Sequence, residues 1–332
     1  MAVDQRILAL IEAQTARRME VEDSLIGRIV SALRAVLWGD PVSEAEFLQA
    51  AAESAEAGMQ AVGDMTVQSV TEIVNIVREA PDAPATAGAA EPDPFELPDR
   101  MAAGSLAVRW IEPVGAYHDA VDDDLDEDTA LTRAESSARG IIVTDLSDAH
   151  AEAVAWTADQ LGTGEQFRRI IHPEKSRSGQ TCGLCVVAST RIYSRGDLRP
   201  VHDGCHCEVV PIVDGQDPGG AINLDDLGDV YADAGDTTDG WDLKRVRYTV
   251  DDNGKLQPDP ATLRKPDPDK PQDEDPRHRS TPRSPRAPKS DVWDDLDWIE
   301  NQIRVIEPLR DSEWRTAILA KLKARRAELT AS

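Results

Sequence analysis

Aromatic residues make up only 4% of this 332-residue chain, and it holds only four cysteines. Aromatic side chains carry the largest apolar areas, so their scarcity argues against one large, densely packed domain. Positive charge is short as well: 36 lysines and arginines stand against 62 aspartates and glutamates, a formal net charge of −26. Affinity for phosphate backbones comes from clustered cations, so a general nucleic-acid coat is excluded, while a basic partner or a crowded assembly fits. No run of eighteen apolar residues occurs, and no membrane-spanning helix is expected. The opening residues MAVDQRILALIEAQ lack a basic stretch leading into a long apolar core, so the expectation is no signal peptide and a reducing cytoplasm during synthesis. A phosphate-cradling glycine loop and a Ser/His/Asp arrangement are also missing.

What the chain does have is concentrated. All four cysteines lie within residues 182–207, as Cys182-x-x-Cys185 followed by His202-x-x-Cys205-His206-Cys207. Two cysteines two residues apart turn both sulfurs toward one ion, and a second knuckle from a distant loop closes a tetrahedral Zn²⁺ site. Gly183 and Gly204 suit such turns, since glycine tolerates positive φ. Cys182, Cys185 and Cys205 lead as ligands, with Cys207 or His202 as the fourth. The competing readings are buried apolar thiols and a redox pair; structural disulfides need an oxidising compartment.

The run Tyr193…Leu198-x-Pro200-x-His202-x-x-Cys205-x-Cys207-x-x-x-Pro211 resembles the signature of the phage Mu F-like head morphogenesis family, the minor capsid proteins of tailed phages. Arg169-x-x-x-Pro173 and the TCGLC knuckle are similar to the version in phages of actinobacteria. His206 departs from the arginine or asparagine often found there, and the first cysteine pair is not family-wide. The resemblance implies an N-terminal helical region associated with the portal, followed by the cysteine-bearing domain.

Along the chain, the fold class expected is α+β. Apolar steps of three and four residues predict a helix over 4–37 and a second from Phe47 to Val77, forming a hairpin within residues 1–80. Asp40-Pro41 stops the first, Ser43-Glu44-Ala45-Glu46 reads as a capping box for the second, and Pro81 ends it. Residues 81–100 read as a linker and 101–213 as the Mu F-like domain, its Cys/His module at 166–213. Short strands are expected at 166–171, at Val186-Val187 and at Val209-Val210, with a helix capped by Ser147 and a surface-exposed His150. The acidic cluster from Asp122 to Asp128 reads as a solvated face, lacking the turn of a calcium loop. Residues 214–252 read as a loose acidic extension with a helical turn near Leu224–Tyr231 and a strand within 241–250. Residues 253–289 read as a disordered, proline-rich linker, and 290–332 as a helical hairpin carrying Trp293 and Trp314.

The function expected is a structural minor capsid protein with portal and other capsid proteins as partners. Its place is the virion, after assembly in the host cytoplasm, and it has no membrane partner. The basic tract within 277–289 offers weak contact with packaged DNA. The alternatives are a zinc nuclease using His202 or His206 as base, or a toxin carried on a minor head protein; a non-enzymatic role is the leading expectation.

Overall fold

The computed structural model describes residues 3–37, 44–79, 91–173, 179–202, 207–219, 227–251 and 255–264, with 303, 320, 323–324 and 326–330 near the C-terminus. It is an α+β protein of long helices and two small sheets. The chain divides into two compact units: Met1–Leu25, Ala57–Pro98 and Arg139–Pro276 form the first, and Ile26–Glu56, Asp99–Ala138 and Arg277–Ser332 the second.

The two opening helices are present as expected, α1 over Val3–Leu37 and α2 over Glu44–Arg78. Within the first unit they run antiparallel: Ile7 and Ile11 at the start of α1 share a core with Val70, Ile73, Val74 and Val77 at the end of α2. A Cβ at Gly58 would stand 2.9 Å from the Leu25 side chain, so α2 presses on α1 where a side chain is missing. The apolar stripe of α1 is internal: Ile29 and Leu33 are 2% and 0% exposed. That stripe offers no docking face. The start of the capping box and Asp40-Pro41 lie outside the described residues, as does Pro81.

After α2 the expectation of a plain linker fails over 91–98. Phe95 is buried, its ring seated on Gly63 and edge-on to Trp156 at 5.9 Å, while Gln60 Nε2 donates to its carbonyl. In the second unit follow α3 (Ala103–Leu106) and α4 (Ile111–Asp122), with Trp110 fully buried between them in sequence. The Asp122–Asp128 stretch is mostly exposed; Asp126 caps the next helix by accepting from Thr129 N–H and Oγ1–H. That helix, α5, runs unbroken over Glu127–Gln160, so Ser147 caps nothing; it sits mid-helix and accepts from Arg18 Nη1 at 3.1 Å.

The first sheet is antiparallel, order β3-β1-β4, from β1 (Phe167–Ile170), β3 (Ile192–Tyr193) and β4 (Glu208–Pro211). Its Phe167, Ile170, Val209 and Val210 join the same core as α1, α2 and α5. Residues 1–80 and the module beginning at 166 are therefore not separate cores. The second sheet, order β2-β5-β6, is formed by β2 (Thr181–Cys182), β5 (Arg247–Val250) and β6 (Leu256–Pro258). Helices α6 (Gly183–Ser189), α7 (Leu227–Asp233) and α8 (Gly240–Arg245) pack with it in a second apolar cluster. Two expectations are corrected. Val186-Val187 is helical, because Cys182 caps α6 and fixes its start. The extension past 213 is less loose than expected: besides a helix and a strand close to those anticipated, the described residues include α8 and β6, and Val230, Leu243, Val246, Tyr248 and Leu256 pack with the cysteine module. The rest of the expected linker, and nearly all of the expected C-terminal hairpin, lie outside the described residues.

One buried charge holds the first core together. Glu208 at the start of β4 is 1% exposed, with Arg18 Nη2 2.8 Å from one carboxylate oxygen and His150 Nε2 2.8 Å from the other. His150, far from the surface at 1% exposure, has Nδ1 3.0 Å from Thr66 Oγ1 and 3.3 Å from Gln14 Nε2. Its Nε2 also lies 3.1 Å from both Val209 O and Val209 N; protonated, it donates to the carbonyl, and unprotonated, it accepts from the amide. Burial pushes the Glu208 carboxyl up, but Arg18, His150 and His172 together hold it well below the usual range.

Two expected outcomes follow from this packing. Ile29→Asp with Leu33→Asp should lower far-UV helicity and cooperativity, since each places an unpaired charge in the core; unchanged helicity would show that the stripe is not internal. Glu208→Gln should cost about 3–5 kcal/mol in denaturant unfolding by removing the buried carboxylate charge that faces Arg18 and His150. Because the folded carboxyl titrates low, its contribution is complete above the ordinary glutamate value of about 4.3 and is lost as pH falls below it. The wild type should therefore lose stability in acid more steeply than Glu208→Gln does.

Candidate metal centre

The site is assembled from two separated stretches. In the first, Cys182 lies on β2 opposite Arg247 of β5, with extended backbone at φ −90° and ψ 154°. The chain then turns into α6, and the Cys182 Sγ accepts from the Cys185 backbone N–H at 3.4 Å. This capping bond brings the two sulfurs to one side of the turn. Gly183 between them is needed for space, not for positive φ: a Cβ there would meet the Leu243 carbonyl oxygen at 2.9 Å. Its N–H donates to Val246 O at 2.9 Å, so the knuckle rests on the 227–258 elements.

The second stretch brings His202. Its Nε2 lies 3.1 Å from Cys182 Sγ and 3.2 Å from Cys185 Sγ. The three ligand atoms fall within 4.8 Å of one another. Sulfur and nitrogen ligands on one tetrahedral ion stand about 3.5 Å apart by ordinary bond lengths, so the spacing suits a shared metal. Cys182, Cys185 and His202 form a group that can hold a metal ion. The Cys182 thiol is pulled down to about 5, first by the Cys185 thiol donating to it and then by His202, against the opposing effect of burial. A thiolate at neutral pH is the form that binds metal.

Of the residues picked out by spacing, Cys182, Cys185 and His202 come together. Cys207 is buried in the same apolar cluster, but its sulfur is not part of the close group. Cys205 and His206 lie outside the described residues. Cys182, Cys185 and Cys207 are not joined in disulfides. Spacing left the Glu208–His150–Arg18 cluster unseen. Nothing local marks it; the only hint was a glutamate standing among Val209, Val210 and Cys207.

No protein-family model matches the chain, and no curated protein or solved structure matches it. The donor set, two cysteine sulfurs and one imidazole, is of a kind suited to borderline-soft ions such as zinc.

Cys182→Ser removes a ligand while its hydroxyl can still cap α6, since serine is a favoured N-cap. The expected outcome is loss of cobalt(II) thiolate charge-transfer absorption and loosening of the second apolar cluster, followed at Tyr248. Helicity should fall little, because α1, α2 and α5 bury their faces in a different core. Retained absorption would place the metal elsewhere.

Proposed function

We propose that this chain is a structural minor capsid protein of a tailed phage, a head morphogenesis component that works beside the portal. In this reading, Cys182, Cys185 and His202 hold a structural zinc ion. The observation that carries the reading is the meeting of His202 with the first cysteine pair. It brings the TCGLC knuckle, similar to the version in phages of actinobacteria, against the histidine that opens the Mu F-like His202-x-x-Cys205-x-Cys207 run. Cys205 is the fourth ligand in this reading of the sequence.

A small second sheet of two- to four-residue strands has little apolar area of its own, and a metal staple offsets that shortage. His202 Nε2 faces both sulfurs, which suits a ligand better than a base free to take a substrate proton. The net charge of −26 favours contact with a basic surface in a crowded particle. Portal contact in this reading does not use the α1 stripe, which is internal. It falls to the last forty or so residues, whose sequence carries Trp293 and Trp314.

Protein purified reduced and without chelator should contain about one zinc per chain. Coexpressed with the portal and scaffold of its own phage, the full chain should enter particles, and a chain ending at residue 289 should keep its zinc and fail to enter. Absence of metal removes the staple. Equal entry of the two chains removes the C-terminal docking role, and absence of the full chain from particles removes the capsid role.

A further inference from the structure

Arg169 is an unusual residue to find inside a four-residue strand. It lies on β1 opposite Val209 and is 2% exposed. Its guanidinium does not reach solvent; Nη2 donates to the carbonyls of Asp197, at 3.3 Å, and of Arg199. Its Cζ sits 4.8 Å over the ring of Tyr193, and Tyr193 Oη–H donates to Ala188 O at 2.8 Å. Ala188 belongs to α6, the helix whose first turn carries Cys182 and Cys185. Arg199 stands three residues before His202. One buried side chain thus touches the backbone leading into the imidazole ligand, and through one ring it touches the far end of the thiol-bearing helix.

The stretch held in this way has little else to fix it. Arg195–Asp197 is a single 3-10 turn with no buried residue, and within 194–199 only Leu198 is buried. Ordering such a loop costs about 1–2 kcal/mol per residue in backbone entropy alone. Hydrogen bonds from a charged donor to two carbonyls are among the stronger ways to offset that cost. Arginine suits the position because Nη2 alone donates to both oxygens while the guanidinium face stacks on the ring. Lysine carries the same charge but has no planar face to stack.

We propose that Arg169 is the positioning residue of the metal centre, setting the 197–199 backbone so that His202 meets Cys182 and Cys185. The proposal rests on the metal reading above and extends it to a residue that touches no ligand atom. Groups that orient metal ligands from behind typically contribute 10–100-fold to affinity.

The test uses the full chain and zinc itself, in competition with a chelator, with cobalt(II) as spectroscopic probe. Arg169→Gln should weaken zinc binding 10–100-fold. Its cobalt complex should keep thiolate charge transfer while the ligand-field bands shift as the imidazole is lost. Arg169→Lys should lose as much, and both variants should fall further below the wild type in melting temperature with zinc than without it. Wild-type affinity in Arg169→Gln overturns the proposal, and so does full rescue by Arg169→Lys, which would make charge alone the cause. An equal fall in melting temperature with and without metal also overturns it, as that marks a general loop clamp. If Arg169→Gln does not fold, Tyr193→Leu removes the ring beneath the guanidinium and leaves the charge; unchanged zinc affinity there counts against the proposal equally. A wild type that binds no zinc or cobalt fails at the earlier step and takes the metal reading with it. A wild type that binds beside a variant that binds as well fails only for Arg169.

Discussion

A carboxylate with almost no access to water is the constraint around which the first unit is arranged. Glu208 must have its charge answered inside the protein, since an unpaired buried ion costs far more than a small domain can absorb. The answer comes from α1 through Arg18 and from α5 through His150, and α2 enters through Thr66 beside the imidazole. Three helices and a strand are thereby held to a single alignment. Sliding α1 by one turn would strand both Arg18 and Glu208. Apolar contacts between Ile7, Val74 and Ala155 supply area but tolerate such a slip; the ion cluster does not.

This alignment matters for the metal centre because Glu208 directly follows Cys207 and opens β4. Pinning Glu208 fixes β4 against β1, and β1 carries Arg169 to the loop ahead of His202. The thiol half depends on different neighbours. Cys182 pairs with Arg247, Gly183 leans on Val246 and Leu243, and Tyr248 Oη–H donates to Asp233 behind them. Val201 beside His202 packs against the same cluster as the thiols, while Leu198 and Arg169 tie the preceding loop to the first core.

Much of this was legible in the sequence because it is local. Steps of three and four residues drew α1 and α2 nearly to their ends, and β-branched pairs marked β1 and β4. The cysteine spacing put Cys182, Cys185 and Cys205 first and left Cys207 and His202 as alternatives for the fourth place, of which the fold brings His202 to the first pair. What was not legible depends on contacts far apart in the chain. His150 reads as a surface histidine on a polar helix until Gln14, Thr66 and Glu208 are brought around it. Phe95, in a stretch of prolines and acids, reads as linker until Gly63 of α2 gives its ring a seat. Val186-Val187 followed a strand-like composition, but the preceding cysteine supplied a helix cap, and the cap decided the outcome. Residues 227–264 read as loose because their apolar residues are sparse, yet Val230, Tyr231, Leu243, Val246, Tyr248 and Leu256 pack in the cluster that holds the cysteines.

The sulfur of Cys182 has two roles at once. It receives the Cys185 amide at 3.4 Å as the cap of α6, and it is also one of the three ligand atoms. A cap whose acceptor is a metal-bound thiolate is held in place by the metal, whereas a bare thiol cap can rotate away. The Cys185 amide is thus a single-proton reporter at the start of a seven-residue helix. Its exchange with deuterated solvent slows or quickens with occupancy of the site, with no probe attached to the protein.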